Sequence, residues 1–365
     1  MGDSQGQVSD LLGFVSAMGG ERALRVEENL GDGYVRLRVA EAERRQAKHD
    51  IRCVEDVVIE MLRNARDAGA RHIYVATTRE GSLRTTTMLD DGSGIPEAMQ
   101  ERVFEARVTS KLESVRMDRW GVHGRGMALF SVRENAETAE VVSSAPGLGT
   151  SIRVVTDAER LPERADQSTW PTVGTDDEGR PACARGPHNI VRTCCEFALE
   201  ERGGCEVYLG SPAEIVATAR RRVTPTVDPS ELLFMDGLDR LPVLERLRAA
   251  ADAPELCEQA RALGLDMSER TVHRIVAGQV HPLRSVLSRL GHARTDAPAQ
   301  ARPVDLARDQ RGLRLSEADA AEFSRLMERD FQMLAERYYL QLASEPTVKV
   351  QGRRITVSFD VEEAD

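Results

Sequence analysis

The residues best suited to chemistry lie in one stretch, Glu55 to Gly69, which reads EDVVIEMLRNARDAG. If this stretch is helical, Glu60, Asn64 and Asp67 fall at positions i, i+4 and i+7 and share one face. Two carboxylates and an amide would then stand together, although a solvated helix face is the ordinary alternative for such a pattern. A separate apolar stripe predicts packing of the helix against a sheet, and it consists of Val58, Met61, Leu62 and Ala65.

Two glycine-rich clusters follow, and both are accompanied by segments that are typical of β-strands. The predicted strands are residues 72–78, 83–89, 138–144 and 151–156. The first cluster is Asp90-Asp91-Gly92-Ser93-Gly94-Ile95, and the second runs from Gly121 to Leu129 and reads GVHGRGMAL. The last two strands flank Gly149 and Thr150. Each cluster alone is typical of an ordinary turn, but their order after the helix indicates one composite site.

Together these residues resemble three sequence boxes of the GHKL ATPase superfamily, which contains DNA gyrase B, heat-shock chaperone ATPases, sensor histidine kinases and MutL. The boxes match Glu60–Ala68 (Glu-x-x-x-Asn-x-x-Asp-Ala), Asp90–Gly94 (Asp-x-Gly-x-Gly) and Gly121–Gly126 (Gly-x-x-Gly-x-Gly). The chain is most similar to the MutL branch, because residues 67–70 (DAGA) and 109–111 (TSK) are similar to runs of that branch. The resemblance covers residues 50–156. It implies an α+β protein with a Bergerat-type α/β sandwich that binds and hydrolyses ATP.

The chemistry of such a site can be stated residue by residue. A triphosphate needs a divalent cation, and Mg²⁺ takes only one or two oxygens from the protein, a place that the amide of Asn64 suits. Glu60, one helical turn earlier, can orient or deprotonate the attacking water. Glycine backbones allow close approach to phosphate, and a helix starting near Gly126 would add its positive dipole end. In the resemblance, Asp90 accepts a hydrogen bond from the adenine amino group.

The predicted site is therefore large, with Glu60 as the catalytic residue and Asn64 as the Mg²⁺ ligand. Residues 96–120 are expected to form a lid, in which Lys111 either pairs with phosphate or is an ordinary solvated lysine. His123 is included among the candidates, although a structural or exposed histidine is favoured there. The predicted ATP-binding residues are Asn64, Asp67, Asp90, Gly92, Gly94, Ile95, Lys111, Gly121, His123, Gly124, Arg125, Gly126, Met127 and Thr150.

A second signal lies in residues 238–292, where two predicted helices, 256–263 and 269–277, flank a turn at 264–268. This arrangement resembles the helix-turn-helix of phage-repressor-like DNA-binding domains, although the turn is longer than usual. Residues 268–294 contain five arginines and one acid inside a protein of formal net charge -11. Arg270, His273 and Arg274 are the candidate contacts to duplex DNA. A small helical domain used for protein contacts is the alternative.

Composition and short motifs bear on three other classes of protein: membrane proteins, metal-binding proteins and protein kinases. No apolar run reaches the roughly 18 residues of a membrane span, so we expect a cytoplasmic protein that does not bind a membrane. Six cysteines occur without a Cys-x-x-Cys pair, which favours buried reduced thiols over a metal site formed by residues 183–205. His49-Asp50-Ile51 is similar to a histidine-kinase phosphoacceptor box, but it stands too close to Asn64 for the helical hairpin that normally carries that histidine. Kinase activity is therefore the weakest alternative.

The predicted domain order is an N-terminal segment at 1–21, an ATP-binding domain at 22–157, a linker and small α/β region at 158–237, and the helix-turn-helix domain at 238–292. The last predicted region, 293–365, contains a long helix from 316 to 343 and a β-hairpin at 347–361. The leading functional hypothesis is an Mg²⁺-dependent ATPase switch coupled to DNA contact or to formation of a homodimer. A regulator or scaffold that senses ATP without hydrolysing it is the alternative.

Overall fold

The structure is a computed structural model that describes residues 26–39, 41–110, 116–123, 126–176, 179–232, 234–235, 237–293, 317–338, 340–351 and 354–363. The chain divides into two compact units, Met1–Thr295 and Asp296–Asp365. The predicted domain boundaries at residues 157 and 237 therefore fall inside the first unit. The predicted N-terminal segment, 1–21, lies outside the described residues.

The strands of the first unit are β1 (Val26–Gly31), β2 (Tyr34–Leu37), β3 (His72–Glu80), β4 (Leu83–Asp90), β5 (Val108–Thr109), β6 (Arg116–Asp118), β7 (Gly121–His123), β8 (Thr138–Ser144), β9 (Thr150–Asp157), β10 (Thr172–Thr175), β11 (Pro181–Arg185) and β12 (Glu206–Gly210). Its helices are α1 (Glu41–Asp50), α2 (Val54–Asp67), α3 (Ala128–Asn135), α4 (Ile190–Glu200), α5 (Pro212–Arg222), α6 (Pro229–Leu232), α7 (Val243–Ala249), α8 (Ala253–Ala262), α9 (Glu269–Val276) and α10 (Val286–Ala293). Among the described residues of this unit, three short 3-10 helices occupy Glu97–Met99, Arg102–Phe104 and Leu238–Arg240.

A mixed five-stranded sheet in the order β12-β3-β4-β9-β8 forms the centre of this unit. Strand β12 pairs parallel with β3, and the other neighbours pair antiparallel. The strands predicted at residues 72–78, 83–89, 138–144 and 151–156 are confirmed. Strands β1 and β2 form an antiparallel hairpin that turns at Asp32 and Gly33.

Both faces of the sheet are covered by helices. Ile73 and Val75 of β3 lie in one hydrophobic core, while Tyr74 and Ala76 lie in another. Because successive side chains of a strand point to opposite faces, a strand buried on both sides reads as a continuous apolar run rather than an alternating one. Helices α2, α4 and α10 contribute to the first core, and helices α5, α7, α8 and α9 contribute to the second.

The helix pair α8 and α9 confirms the two helices that were predicted at 256–263 and 269–277. The turn that connects the two helices is hydrogen-bonded to the sheet rather than extended into solvent. Thr87 Oγ1 donates to the Gly264 carbonyl at 2.9 Å, and Ser151 Oγ donates to the Leu263 carbonyl at 2.8 Å. Arg153 also pairs with Asp266 at 3.2 Å. The pair is thus part of the outer helical layer of the first unit.

The region predicted at 158–237 as a linker and small α/β region begins with a packed segment rather than a linker. Leu161 is buried in the first core, and β10 and β11 form an antiparallel hairpin. Asn189 caps α4 and also holds this segment in place. Its side-chain amide donates to the carbonyls of Asp166 and Thr169 at 2.9 and 3.0 Å. The Pro and Gly residues therefore mark turns within a packed region, not a connection between domains.

The second unit contains α11 (Glu317–Tyr338) and four strands, β13 (Leu340–Leu342), β14 (Thr347–Gln351), β15 (Arg354–Ser358) and β16 (Val361–Glu363). The predicted hairpin is confirmed as the pair β14 and β15, but the helix predicted to reach residue 343 ends at Tyr338 because the chain turns into β13. Phe331 is buried and stacks on Phe359 with ring centroids 5.2 Å apart. Within the described parts of the chain, no helix combines the length and apolar character needed to cross a membrane.

Candidate functional site

Helix α2 forms one wall of a cavity of about 440 Å³, and it exposes its polar stripe to that cavity. The helix starts after Cys53, where the Asp56 carboxylate accepts from the backbone N–H groups of residues 52 and 53. Its apolar stripe is buried as predicted. Because the helix is anchored on this side, Glu60, Asn64 and Asp67 are all presented to the cavity.

The remaining predicted ATP-binding residues are distributed as follows. The cavity wall includes Asn64, Asp67, Asp90, Gly94, Ile95, Gly126, Met127 and Thr150. Gly92 lies beside the wall, within the turn that follows Asp90. Lys111, Gly124 and Arg125 lie outside the described residues, as does the side chain of His123. The backbone of Gly121 and His123 forms part of β7.

The first glycine cluster closes the cavity at the end of β4. Asp90 is buried, and its Oδ1 accepts from the backbone N–H of Gly92 at 2.8 Å. Gly94 has φ +73°, and a Cβ there would stand 1.9 Å from the carbonyl oxygen of Ala145. Only glycine fits that position, because both the backbone conformation and the close approach exclude a side chain. The glycines of this cluster therefore define the shape of the turn.

Ser144 holds two segments of the cavity wall together, and no sequence pattern pointed to it. Its hydroxyl accepts from the backbone N–H of Ile95 at 2.8 Å, donates to the carbonyl of Gly149 at 2.9 Å and lies 3.1 Å from Thr150 Oγ1. Thr150 is the register partner of Asp90. One serine therefore ties the first glycine turn to the start of β9.

The second glycine cluster is divided, in contrast to the single turn expected from the sequence. Residues 121–123 pair with β6 as a hairpin, while Gly126 stands in a separate turn before α3. Gly126 has φ +68°, and a Cβ there would stand 2.8 Å from the Val108 carbonyl. Gly126, Met127 and the first residues of α3 line the cavity. The expected helix N-terminus is thus present at the wall, with its unsatisfied N–H groups and positive dipole end.

Arg107 is a second residue that was missed. It lines the cavity, its side chain is buried, and its backbone adopts φ +63°, which is uncommon for a residue other than glycine. The Arg107 N–H donates to the Gly126 carbonyl at 2.7 Å, and its carbonyl accepts from Leu37 N–H at 3.0 Å. Within the described part of the wall, Arg107 is the only Arg or Lys, whereas the acids are Asp50, Asp56, Glu60, Asp67 and Asp90.

Buried ion pairs surround the polar stripe of α2. Glu60 Oε1 accepts from Arg63 Nη1 at 2.6 Å, and Asp67 Oδ1 accepts from Arg66 Nε at 2.9 Å. Both arginines also donate to Asp118 of the hairpin β6–β7. The three carboxylates are therefore held as charged acceptors in fixed orientations.

The donor set at Asn64 fits a bound cation. Its Nδ2 is buried and has no hydrogen-bond partner among the described residues, and an amide flip exchanges that atom with the oxygen. An amide oxygen beside carboxylates is a suitable ligand for Mg²⁺, which takes few protein ligands when phosphate supplies others. In the described residues, no three side chains from His, Cys, Asp and Glu group together as a metal cage.

Comparison with known proteins agrees with this geometry. Residues 49–160 match the family model described as "Histidine kinase-, DNA gyrase B-, and HSP90-like ATPase". The match supports a GHKL-type ATPase domain. This stretch contains α2, the sheet strands β3, β4, β8 and β9, both glycine clusters and Arg107.

The curated relatives are DNA mismatch repair proteins MutL. The chain is 38% identical to MutL of Acidiphilium cryptum over 204 residues, which is 55% of this chain and 33% of that protein. It is 40% identical to MutL of Thermus aquaticus over 84 residues (23% of this chain, 15% of that protein) and 35% identical to MutL of Lactiplantibacillus plantarum over 98 residues (26% and 14%). The chain thus covers a third or less of each of these relatives.

The predicted DNA-contacting residues lie together on α9. Arg270, His273 and Arg274 are exposed, whereas Val272 and Ile275 of the same helix are buried. Arg289, which was counted in the basic patch, instead lies over the Trp170 ring at 3.8 Å and donates to the Leu209 carbonyl at 3.2 Å. The exposed basic face is therefore smaller than the sequence indicated, and its DNA-binding role stays a prediction.

The cysteines are free thiols, and five of the six are buried. Burial raises the pKa of the Cys194 thiol to about 12 and that of the Cys205 thiol to about 11. Protonated thiols are poor metal ligands and poor nucleophiles. These two cysteines thus act as small apolar side chains in the first core.

Proposed function

We propose that this chain binds ATP with Mg²⁺ and hydrolyses it slowly as a molecular switch. The observation that carries the proposal is the convergence on one cavity of Glu60, Asn64, Asp90, Thr150 and the Gly126 turn. The GHKL-type match and the MutL relatives support the same activity at the level of the domain.

Different residues of the cavity wall suit the base and the phosphates of the nucleotide. Asp90 is buried at the end of β4 and offers a carboxylate oxygen to the adenine amino group, which would favour ATP over GTP. The α3 N-terminus and Arg107 supply positive potential for the phosphates. When bound at Asn64, Mg²⁺ would neutralise phosphate charge and help to hold the triphosphate in place.

In the proposed reaction, Glu60 orients the attacking water and accepts its proton. The water oxygen forms a bond to the γ-phosphorus, and the bond from that phosphorus to the bridging oxygen breaks. The electron pair of that bond leaves with ADP. Arg63 keeps the carboxylate of Glu60 in its orientation through the 2.6 Å bond described above.

The switch function is expected to arise from the segment between β4 and α3, residues 91–127. Its described parts contain two short 3-10 helices and the hairpin β6–β7, and Val103, Arg107 and Trp120 of this segment line the cavity. Contacts of this segment with the γ-phosphate are lost when phosphate leaves, so its arrangement should follow the nucleotide state. In this proposal the nucleotide state controls either pairing of two chains or contact with DNA.

Glu60→Ala separates the enzyme from the alternative of a non-hydrolysing sensor. We expect turnover of Mg·ATP to fall at least about a hundredfold, since general-base catalysis contributes roughly 10²- to 10⁴-fold. Affinity for Mg·ATP should change little. The matched control is Glu159→Ala, an exposed glutamate outside the cavity. A parent protein that binds Mg·ATP without any turnover would establish the sensor instead.

Duplex DNA is the second candidate ligand, and the exposed face formed by Arg270, His273 and Arg274 favours it. Affinity should fall steeply with salt, and Arg270→Ala plus Arg274→Ala should reduce the slope of log K against log salt by about 2. The matched control replaces two exposed arginines elsewhere, Arg185 and Arg202, by alanine. Equal losses in both double variants would exclude α9 as the DNA-binding element.

A further inference from the structure

Arg63 lies between the proposed catalytic carboxylate and the hairpin β6–β7. It is in α2, one turn after Glu60, and only 3% of it is exposed. Its Nη1 donates to Glu60 Oε1 at 2.6 Å, while its Nε and Nη2 donate to Asp118 Oδ2 and Oδ1, both at 2.9 Å. A single guanidinium thus joins two carboxylates from two different parts of the chain.

The geometry of this contact is specific to arginine. A guanidinium is planar, and its fork matches the two oxygens of a carboxylate, so the bidentate bond to Asp118 fixes the plane and rotation of the Arg63 head. The third bond, to Glu60, then has a defined direction. A lysine at this position would keep the charge but would lose the fork.

Asp118 is anchored within the hairpin as well as to α2. Its Oδ1 also accepts from the backbone N–H of Trp120 at 3.1 Å, and its Oδ2 accepts from Arg66 Nη1 at 3.1 Å. Trp120 lines the cavity, and its ring lies 6.4 Å from the ring of Phe197 in α4. The position of Asp118 therefore depends on the turn of the hairpin being packed against the cavity.

We propose that Arg63 is a positioning residue for Glu60 and that Asp118 sets the position of Arg63 according to the state of the hairpin β6–β7. This inference rests on the proposed hydrolysis of ATP and names its regulation. With the hairpin docked, Arg63 holds Glu60 toward the attacking water. With the hairpin displaced, Arg63 loses its fixed orientation and Glu60 loses its alignment.

The alternative role for Arg63 is restraint, in which its bond to Glu60 blocks the base. The structure favours positioning, because Glu60 lines the cavity while it is bonded and its side chain is 18% exposed. The two roles predict opposite changes in rate when Arg63 is replaced.

The experiment compares the parent chain with Arg63→Lys, Asp118→Asn and the double variant. Single-turnover kcat is measured together with the Kd for Mg·ATP. We expect kcat to fall about tenfold or more in each single variant with Kd changed less than about threefold, because misalignment of a reacting group lowers rate rather than binding. The double variant should be no slower than the slower single variant, since Asp118 acts through Arg63.

A pH profile separates positioning from general loss of structure. A cation beside a carboxylate favours its charged form, so Arg63→Gln should move the acid limb of the kcat profile to higher pH. Arg63→Lys, which retains the charge, should move that limb less. If Asp118→Asn does not fold, Asp118→Glu keeps the charge, displaces the carboxylate by one methylene group and should still lower kcat.

Arg192→Lys is the matched control for disturbing a buried arginine. Arg192 bonds to Glu196 at 2.9 Å and to the carbonyls of Cys183 and Gly186, away from the cavity. The kcat of Arg192→Lys should equal that of the parent chain. Unchanged or raised kcat in Arg63→Lys, or multiplicative losses in the double variant, would overturn the inference. Absence of turnover in the parent chain would overturn the proposed function together with it.

Discussion

Arg107 combines two features that each cost free energy. A left-handed backbone at a residue other than glycine costs about 1–3 kcal/mol, and burying a guanidinium removes it from water. Both are tolerated beside the Gly126 turn, where backbone hydrogen bonds hold Arg107 in place. A cavity wall rich in carboxylates would repel a triphosphate unless some cation offsets them. Arg107 is the residue of the described wall that supplies this charge.

Arg107→Ala should weaken binding of Mg·ATP by roughly 10- to 100-fold, because a hydrogen bond to a charged group contributes about 1.5–3 kcal/mol. Arg107→Lys should lose less, since it retains the charge. Calorimetric titration measures both values. Because alanine suffers the same backbone strain as arginine at φ +63°, the comparison isolates the side chain. Equal affinity in all three proteins would remove Arg107 from the site.

Asp90 and Asp91 are adjacent carboxylates with different surroundings, which makes a matched pair of variants. Asp90 lines the cavity, whereas Asp91 accepts from the N–H groups of Arg71 and His72 at 2.7 and 2.8 Å. Asp90→Asn places a donor where the adenine amino group needs an acceptor and should lower ATP affinity at least about tenfold. Asp91→Asn should leave affinity unchanged. Equal effects of the two substitutions would contradict the role of Asp90.

Strand β3 begins with a titratable pair whose stability contribution depends on pH. The hydrogen bond that the His72 ring makes to the Asp91 carboxylate raises the pKa of His72, whose Nδ1 lies 2.7 Å from Asp91 Oδ2. Burial alone would raise the pKa of Asp91, but its hydrogen bonds with the His72 ring and with the Arg71 and His72 backbone lower it overall. The contribution of His72 to the free energy of unfolding is therefore fully present below about pH 6.5 and is lost as pH rises through the raised pKa of His72. The Asp91 contribution is lost below about pH 4.

The difference in Tm between the parent and His72→Gln should be largest near pH 5–6 and should shrink by pH 8–9. Taking the difference cancels titrations that the two proteins share. Thermal unfolding followed by circular dichroism at several pH values measures it. A difference that stays constant from pH 5 to 9 would show that His72 does not titrate in the folded protein with a raised pKa.

Element prediction succeeded where the signal was local. The periodicity of residues 55–69 predicted α2, and the segments typical of β-strands at 72–78, 83–89, 138–144 and 151–156 predicted four strands of the central sheet. The linker predicted at the start of the 158–237 region is a packed segment with a hairpin, because glycine and proline mark turns inside a hairpin as readily as a linker. The division of the second glycine cluster between a strand and a turn was also not predicted. The spacing of glycines does not specify with which segment a strand pairs.

At the scale of the whole molecule, the predicted separation into an ATP-binding domain and a helix-turn-helix domain missed the contacts that join them. The fifth sheet strand, β12, pairs with β3 across more than a hundred residues of sequence, and no local pattern encodes that choice of partner. The outer helical layer also docks on hydroxyl groups of Thr87 and Ser151. These residues alternate along their strands with cavity-facing positions, so the nucleotide site and α8–α9 share one sheet.

The site itself was predictable to the extent that it rests on local sequence. Glu60, Asn64, Asp90 and Thr150 were expected from spacing and resemblance, and they line one cavity. Arg107, Ser144 and Asp118 were not, because a positive φ, a hydroxyl between two turns and a bidentate bond across the fold arise only from tertiary structure. The hydrogen-bond and ion-pair partners of these residues are distant in sequence, so only the folded chain brings them together.

The most direct test of the central claim is calorimetric titration of the full chain with Mg²⁺ and a non-hydrolysable ATP analogue. We predict one binding site per chain, and binding should be lost or weakened at least about tenfold in Asn64→Ala and Asp90→Asn but retained in Asp91→Asn. Absence of heat in the parent, or equal affinity in all four proteins, would contradict the assignment of this cavity to an adenine nucleotide.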